Sequence, residues 1–199
     1  MRRLTRADVP LATDALARFL IGMVVVRDLD GTLLTGRIVE TEAYTADDPA
    51  SHSFRGPTAR NRTMFERHLH AYVYFIYGTA YCLNISSEPA GVGAAVLIRA
   101  LEPLTGLDAM RTQRGSAAAD RDLLRGPGRV CRALDIDRRL DGADLETDAR
   151  LWLGADGSPR PAVRSSLRIG ISQAADRRAR FYAVGSPYLS GRKALSPDL

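Results

Sequence analysis

The sequence predicts a single domain of the α+β class. Its 199 residues suit one domain of ordinary size. Two turn signals, Asp30-Gly31 and Gly78-Thr79, each separate apolar or alternating runs in the manner of antiparallel hairpins. Helical spacing occurs in isolated stretches among these hairpins, without the regular strand–helix alternation of a doubly wound sheet. A chain this long buries about 70% of the surface its unfolded form exposes, so it needs no disulfide or metal staple.

The elements follow in order. Leu11, Ala15, Leu16, Phe19 and Leu20 keep helical spacing after Pro10 and predict an amphipathic helix. Met23–Leu29 and Leu33–Glu42 form the first hairpin. Thr45 to Met64 is polar, with two prolines and three arginines, and reads as a long loop of the kind that carries function. Tyr72–Tyr77 and Tyr81–Ile85 form the second hairpin, and Val92–Leu101 is a third apolar run. Pro103 opens a helix over Leu104–Arg114, and Gly126-Pro127-Gly128 leads into another over Arg129–Leu134. Such a helix start can hold an anion, although a plain start satisfies the pattern equally. Residues 135–162 read as an acidic surface loop, and Leu167–Ile171 and Phe181–Val184 as late strands.

Composition removes several function classes. The net charge of +5 is uneven, with −4 over residues 135–157 and +6 over 158–199. Arg55, Arg60, Arg62 and Arg67 face only Glu66 across thirteen residues, a cluster that suits a phosphate backbone and suits a solvated face as well. Lys193 is the only lysine, which leaves almost no candidate for Schiff-base chemistry because arginine does not deprotonate. Cys82 and Cys131 stand 49 positions apart and only three histidines are present, so metal-ligand spacing is absent. The longest apolar run, Phe19–Val26, spans eight residues against the roughly 20 of a membrane helix. The chain is expected to be soluble and intracellular.

Three groups of residues can carry chemistry. Glu40 and Glu42 alternate along a strand and so share a face, which raises a carboxyl pKa or calls for a cation. Spacing alone fits an exposed edge strand equally. Glu42 is the better catalytic candidate because it ends the strand, and Arg99, ending the third apolar run, is a partner for it or a surface residue. Tyr72 and Tyr74 share a face, while Tyr77 at the hairpin tip is placed as a wedge or stacking platform. Asn84, between Leu83 and Ile85, needs hydrogen-bond partners if buried and none if it faces an edge.

Taken together, Arg37-Ile38-Val39-Glu40-Thr41-Glu42-Ala43-Tyr44, Ala50-Ser51-His52-Ser53, Arg60-Asn61-Arg62-Thr63-Met64-Phe65, Tyr72–Gly78, Cys82–Ser87 and Leu97–Pro103 resemble the alkyladenine (3-methyladenine) DNA glycosylase family. Gly126-Pro127-Gly128 and Phe181–Pro187 continue the match, in collinear order over nearly the whole chain. The resemblance implies a curved antiparallel sheet flanked by helices, similar to the C-terminal domain of methionyl-tRNA formyltransferase. It implies a monofunctional base-excision-repair enzyme that flips alkylated or deaminated purines out of duplex DNA and releases them by hydrolysis. The substrates expected are 3-methyladenine, 7-methylguanine, hypoxanthine and ethenoadenine. Glu42 would activate the water with Arg99 holding it. Tyr44, His52, Tyr74 and Asn84 would form the base pocket, Tyr77 would intercalate, and Arg60 and Arg62 would meet the backbone. A backbone carbonyl around Ala183 would complete the water site.

No metal or other cofactor is expected, and the partner is damaged double-stranded DNA. The expected state is a monomer without membrane attachment, cytoplasmic and nucleoid-associated in a bacterium. Two rival readings remain from the residues: a non-catalytic nucleic-acid-binding module on the same scaffold, and a metal-dependent nuclease using Glu40, Glu42, Asp47 and Asp48.

Overall fold

A computed structural model describes residues 1–76, 78–115 and 118–191. Tyr77 and Lys193 therefore lie outside the described residues. In chain order these residues form β1 (Arg2–Arg3), α1 (Thr13–Leu20), β2 (Val24–Leu29), β3 (Thr32–Tyr44), β4 (Ala71–Ile76), β5 (Ala80–Ser86), β6 (Ala95–Thr105), α2 (Leu107–Arg114), α3 (Pro127–Ala133), β7 (Leu151–Ala155), β8 (Val163–Ser166) and β9 (Arg180–Ala183). The strands make one antiparallel sheet in the order β1-β7-β2-β3-β6-β5-β4, and β9 joins it by pairing with β3 and β8.

Strand β3 organises the sheet. Along one edge its first half pairs with β2 and its second half, Glu40–Glu42, with β9, while β6 follows it from Thr35 to Tyr44. The β3–β6 register shifts at Thr35/Gly36, Ile38/Glu40 and Glu40/Thr41. Each such bulge adds local bend and twist, and together they curve the sheet around the site. Gly36 permits one close approach: a Cβ there would stand 2.9 Å from the Leu101 side chain.

One face of this sheet is the hydrophobic core. Val73, Leu83, Ile85, Val96, Ile98 and Ala43 are buried there with Leu16, Ala17 and Leu20 of α1, Met110 of α2, and Val130 and Cys131 of α3. Each large aliphatic side chain so buried contributes about 1.5–3 kcal/mol. Thr41 Oγ1 donates to the Ala17 carbonyl at 2.9 Å and anchors α1 to the strand that carries the glutamates.

Three expectations change. The acidic stretch 135–162 is not a surface loop: it contains β7, seated between β1 and β2, and buries Ile136, Leu140, Leu145, Leu151 and Leu153. Its charges sit on turns, where Asp144 and Glu146 pair with Arg6, so net charge concealed a regular apolar set. Pro103 lies within β6 opposite Gly36, beside a bulge that accommodates a proline, and the helix starts only at Leu107. The late strand precedes Leu167, at Val163–Ser166, and residues 167–171 are irregular.

Candidate active site

The opposite face of the sheet is the site, and alternation builds it. On β3 the residues Glu40, Glu42 and Tyr44 point away from α1, because Thr41 and Ala43 point towards it. Register then sets a row across the strands: Glu42 opposes Leu97 on β6, Leu97 opposes Asn84 on β5, and Asn84 opposes Tyr72 on β4. With strands about 4.8 Å apart, this row places a carboxylate, an amide and a phenol along one wall. Arg99 lies two residues beyond Leu97 on the same face.

A cavity of about 370 Å³ opens over this row. Tyr44, His52, Tyr74, Asn84, Arg99 and Ile169 are among its lining residues, so five of the residues singled out from sequence converge on it. The His52 ring meets that of Tyr74 edge-on at 4.5 Å between centroids, and Tyr74 lies 5.3 Å from Tyr72. His52 Nδ1 shares a hydrogen bond of 3.0 Å with Tyr72 Oη, and desolvation followed by the charge of Arg60 lowers the pKa of the imidazole. Burial pushes the Tyr72 phenol up to about 12 and holds that of Tyr74 far above the usual range, so both rings stay neutral. Asn84 Nδ2 donates to the Tyr72 carbonyl at 3.1 Å, which orients the amide.

Glu42 is fully buried and is not itself among the lining residues; it lies behind three residues that are. Its Oε1 accepts from the Ile169 N–H at 2.8 Å; its Oε2 accepts from Tyr44 Oη at 2.8 Å and from Arg99 Nη1 at 3.2 Å. All three donors line the cavity. Burial pushes the Glu42 carboxyl above the usual carboxylate range, and Arg99, the Ile169 N–H and the Tyr44 hydroxyl pull against that shift. Burial works against the charge of Arg99, but Glu42 and Glu40 outweigh it and hold the guanidinium protonated.

Glu40 serves a different purpose from its neighbour. It accepts from Arg99 Nε at 3.1 Å, Arg180 Nε at 2.6 Å, the Ser190 N–H at 2.6 Å and Ser190 Oγ at 2.9 Å. It thereby fixes Arg99 from behind the cavity.

Other expectations are redistributed. Arg60 is exposed, with its guanidinium 5.4 Å from the centroid of the Tyr74 ring, and Arg62 is exposed on a short 3-10 turn. Ala183 opposes Val163 and is not among the cavity's lining residues; the backbone group that meets Glu42 is Ile169. The strand-like composition of the 169–171 segment gives no sign of its place on the cavity wall, and the buried Cys82 lines the cavity as well. Alternation with Asn84 on β5 was the signal for Cys82. The four carboxylates of the nuclease reading do not converge: Asp47 pairs with Arg177, Asp48 with Arg168, Glu42 with Arg99, and Glu40 with Arg99 and Arg180. Among the described residues no three His, Cys, Asp or Glu side chains cluster, and no helix is long and apolar enough to cross a membrane.

Fold and cavity define a protein with an aromatic cavity on one face of an antiparallel sheet and a buried carboxylate held behind its wall. The model of the methylpurine-DNA glycosylase family matches residues 8–187. The chain belongs to that family. It is 52% identical over 192 residues to a Mesorhizobium japonicum protein named "Putative 3-methyladenine DNA glycosylase", covering 96% of this chain and 92% of that one. The mouse DNA-3-methyladenine glycosylase is 48% identical over 92% of this chain and 59% of its own length, and the human one 47% identical over 88% and 63%.

Proposed function

We propose that this chain is a DNA glycosylase that hydrolyses the N-glycosidic bond of alkylated purines, with Glu42 as the carboxylate that directs water. The observation that carries the reading is the setting of Glu42: the three residues that hold the buried carboxylate are themselves walls of an aromatic pocket. Family membership supports the reaction class.

A purine inside a duplex must be rotated out of the stack before its bond can be reached, at a cost of a few kcal/mol. Tyr77, which lies outside the described residues, fills the gap in this reading, while Tyr44, His52 and Tyr74 receive the base. Alkylated purines such as 3-methyladenine are cationic, and neutral aromatic faces attract them by about 0.5–2 kcal/mol. Asn84 disfavours the 2-amino group of guanine by position. Arg60 and Arg62, on the loop beside the hairpin, lie along the path of the backbone.

Departure of the base leaves an oxocarbenium-like sugar. The carboxylate of Glu42 stabilises that charge and, accepting about four hydrogen bonds in all, has capacity for a water besides its three protein donors. Arg99 favours the ionised form of the acid. The reading extends to deaminated and ethenoadenine lesions, to release without strand cleavage, to action as a monomer on chromosomal DNA, and to the scaffold likeness with the methionyl-tRNA formyltransferase C-terminal domain.

The test is incubation of the pure protein with single-lesion duplexes in EDTA. Free base and an abasic strand that breaks only on alkali treatment are expected. Tight binding without release would favour a passive binding module, and activity abolished by EDTA would restore metal-dependent chemistry.

A further inference from the structure

We propose that Arg168 is a positioning residue for base release, clamped by Asp48 behind Tyr44 so that one guanidinium sets three walls of the pocket at once. The inference rests on the reading of Glu42 given above.

The Arg168 and Asp48 side chains are almost completely buried and form an ion pair, with Nη2 also 3.1 Å from Asp48 Oδ1. The guanidinium carbon lies 4.7 Å from the centroid of the Tyr44 ring. Nη1 donates to the Ala43 carbonyl at 3.1 Å, and Nη2 to the Ala174 carbonyl at 3.3 Å. The first wall it sets is therefore β3, through the ring and the backbone next to it. A second is the loop that carries His52: Asp48 Oδ1 accepts from the Ala50 N–H at 3.0 Å, and its carbonyl from the Ser51 N–H at 2.8 Å. The third is the 169–171 segment, whose Ile169 N–H reaches Glu42 from the residue following Arg168.

A buried ion pair is a poor source of stability, because desolvation offsets most of the attraction and apolar residues of like volume often do better. Its advantage is geometric, since a planar guanidinium ties several acceptors at fixed angles. Arg168 does not itself line the cavity. It acts through the two donors it steadies, Tyr44 Oη and the Ile169 N–H. These oppose the rise in the Glu42 pKa caused by burial. The other charged or titratable groups facing Glu42 are Glu40 on its own strand, Arg99 on β6, Arg180 opposite it on β9, and Cys82 on β5.

The experiment is single-turnover release of hypoxanthine from a duplex, as a function of pH, by wild type, Arg168→Lys, Arg168→Met, Asp48→Asn and Glu42→Gln. Each variant's melting temperature is measured alongside. Arg168→Met and Asp48→Asn are expected to slow release about 10-fold or more at neutral pH. Both should move the acid limb to higher pH, and Arg168→Lys should recover part of both effects. An acid limb unchanged in Arg168→Lys and in whichever other variant folds, with rate loss following melting temperature alone, would overturn the proposal. Full activity in Glu42→Gln would instead overturn the reading of the site, which separates the two failures.

Discussion

The hydroxyl of Tyr44 donates to Glu42 Oε2 at 2.8 Å from two residues further along the same strand. Strand alternation makes this contact available, because residues two apart point the same way. It joins a ring on the pocket wall to the carboxylate beneath. In the proposed reading, binding of the base and the state of the acid are therefore coupled through one side chain.

Tyr44→Phe separates the two roles. The ring remains, so affinity for a lesion duplex should change little, while loss of a hydrogen bond to a charged acceptor should slow base release roughly 10-fold. Affinity by fluorescence anisotropy and single-turnover release on the same duplex supply the comparison. Equal loss in both would mean that the hydroxyl contributes only to fit.

Glu42→Gln keeps the volume and removes the charge. Base release should fall by ~10² or more with lesion affinity retained. Near-normal turnover on an ethenoadenine duplex would count against Glu42 as the water-directing group.

The pH profile follows from burial. In the proposed mechanism release needs the carboxylate, so the rate should fall with decreasing pH through the pKa of Glu42, which burial places above the ordinary value of roughly 4.3. Arg99 opposes that rise, so Arg99→Gln should move the acid limb to higher pH and lower the rate at neutral pH. A limb that stays in place would show that another group governs it.

Asn84 is held by the Tyr72 carbonyl at 3.1 Å. Asn84→Ser and Asn84→Ala open space on that wall, and both should raise excision of undamaged guanine from duplex DNA. Guanine release at the wild-type rate by both variants would remove the discriminating role.

Much of the architecture was legible as pattern. The Asp30-Gly31 turn joins β2 and β3, the second turn joins β4 and β5, and α1 lies where apolar spacing put it. Alternation also placed Tyr72 with Tyr74 and Glu40 with Glu42, as the structure shows. It failed over residues 135–162, where charges on turns masked the apolar side chains of β7. It failed again at 167–171, where Ile169 and Ile171 suggested a strand and instead line the cavity.

By itself the sequence determined which faces its strands present, the near-absence of an amine for Schiff-base chemistry and the motifs of its family, because these depend on the residues and their order alone. Only the tertiary structure decided that Glu42 is buried, that Glu40 braces Arg99 without reaching the cavity, and that Arg168 lies against Tyr44. Those relations join positions 59 and more than 100 residues apart. Register across β3, β6, β5 and β4, and the bulges near Glu40, bring them together, and neither has a local signature in the chain.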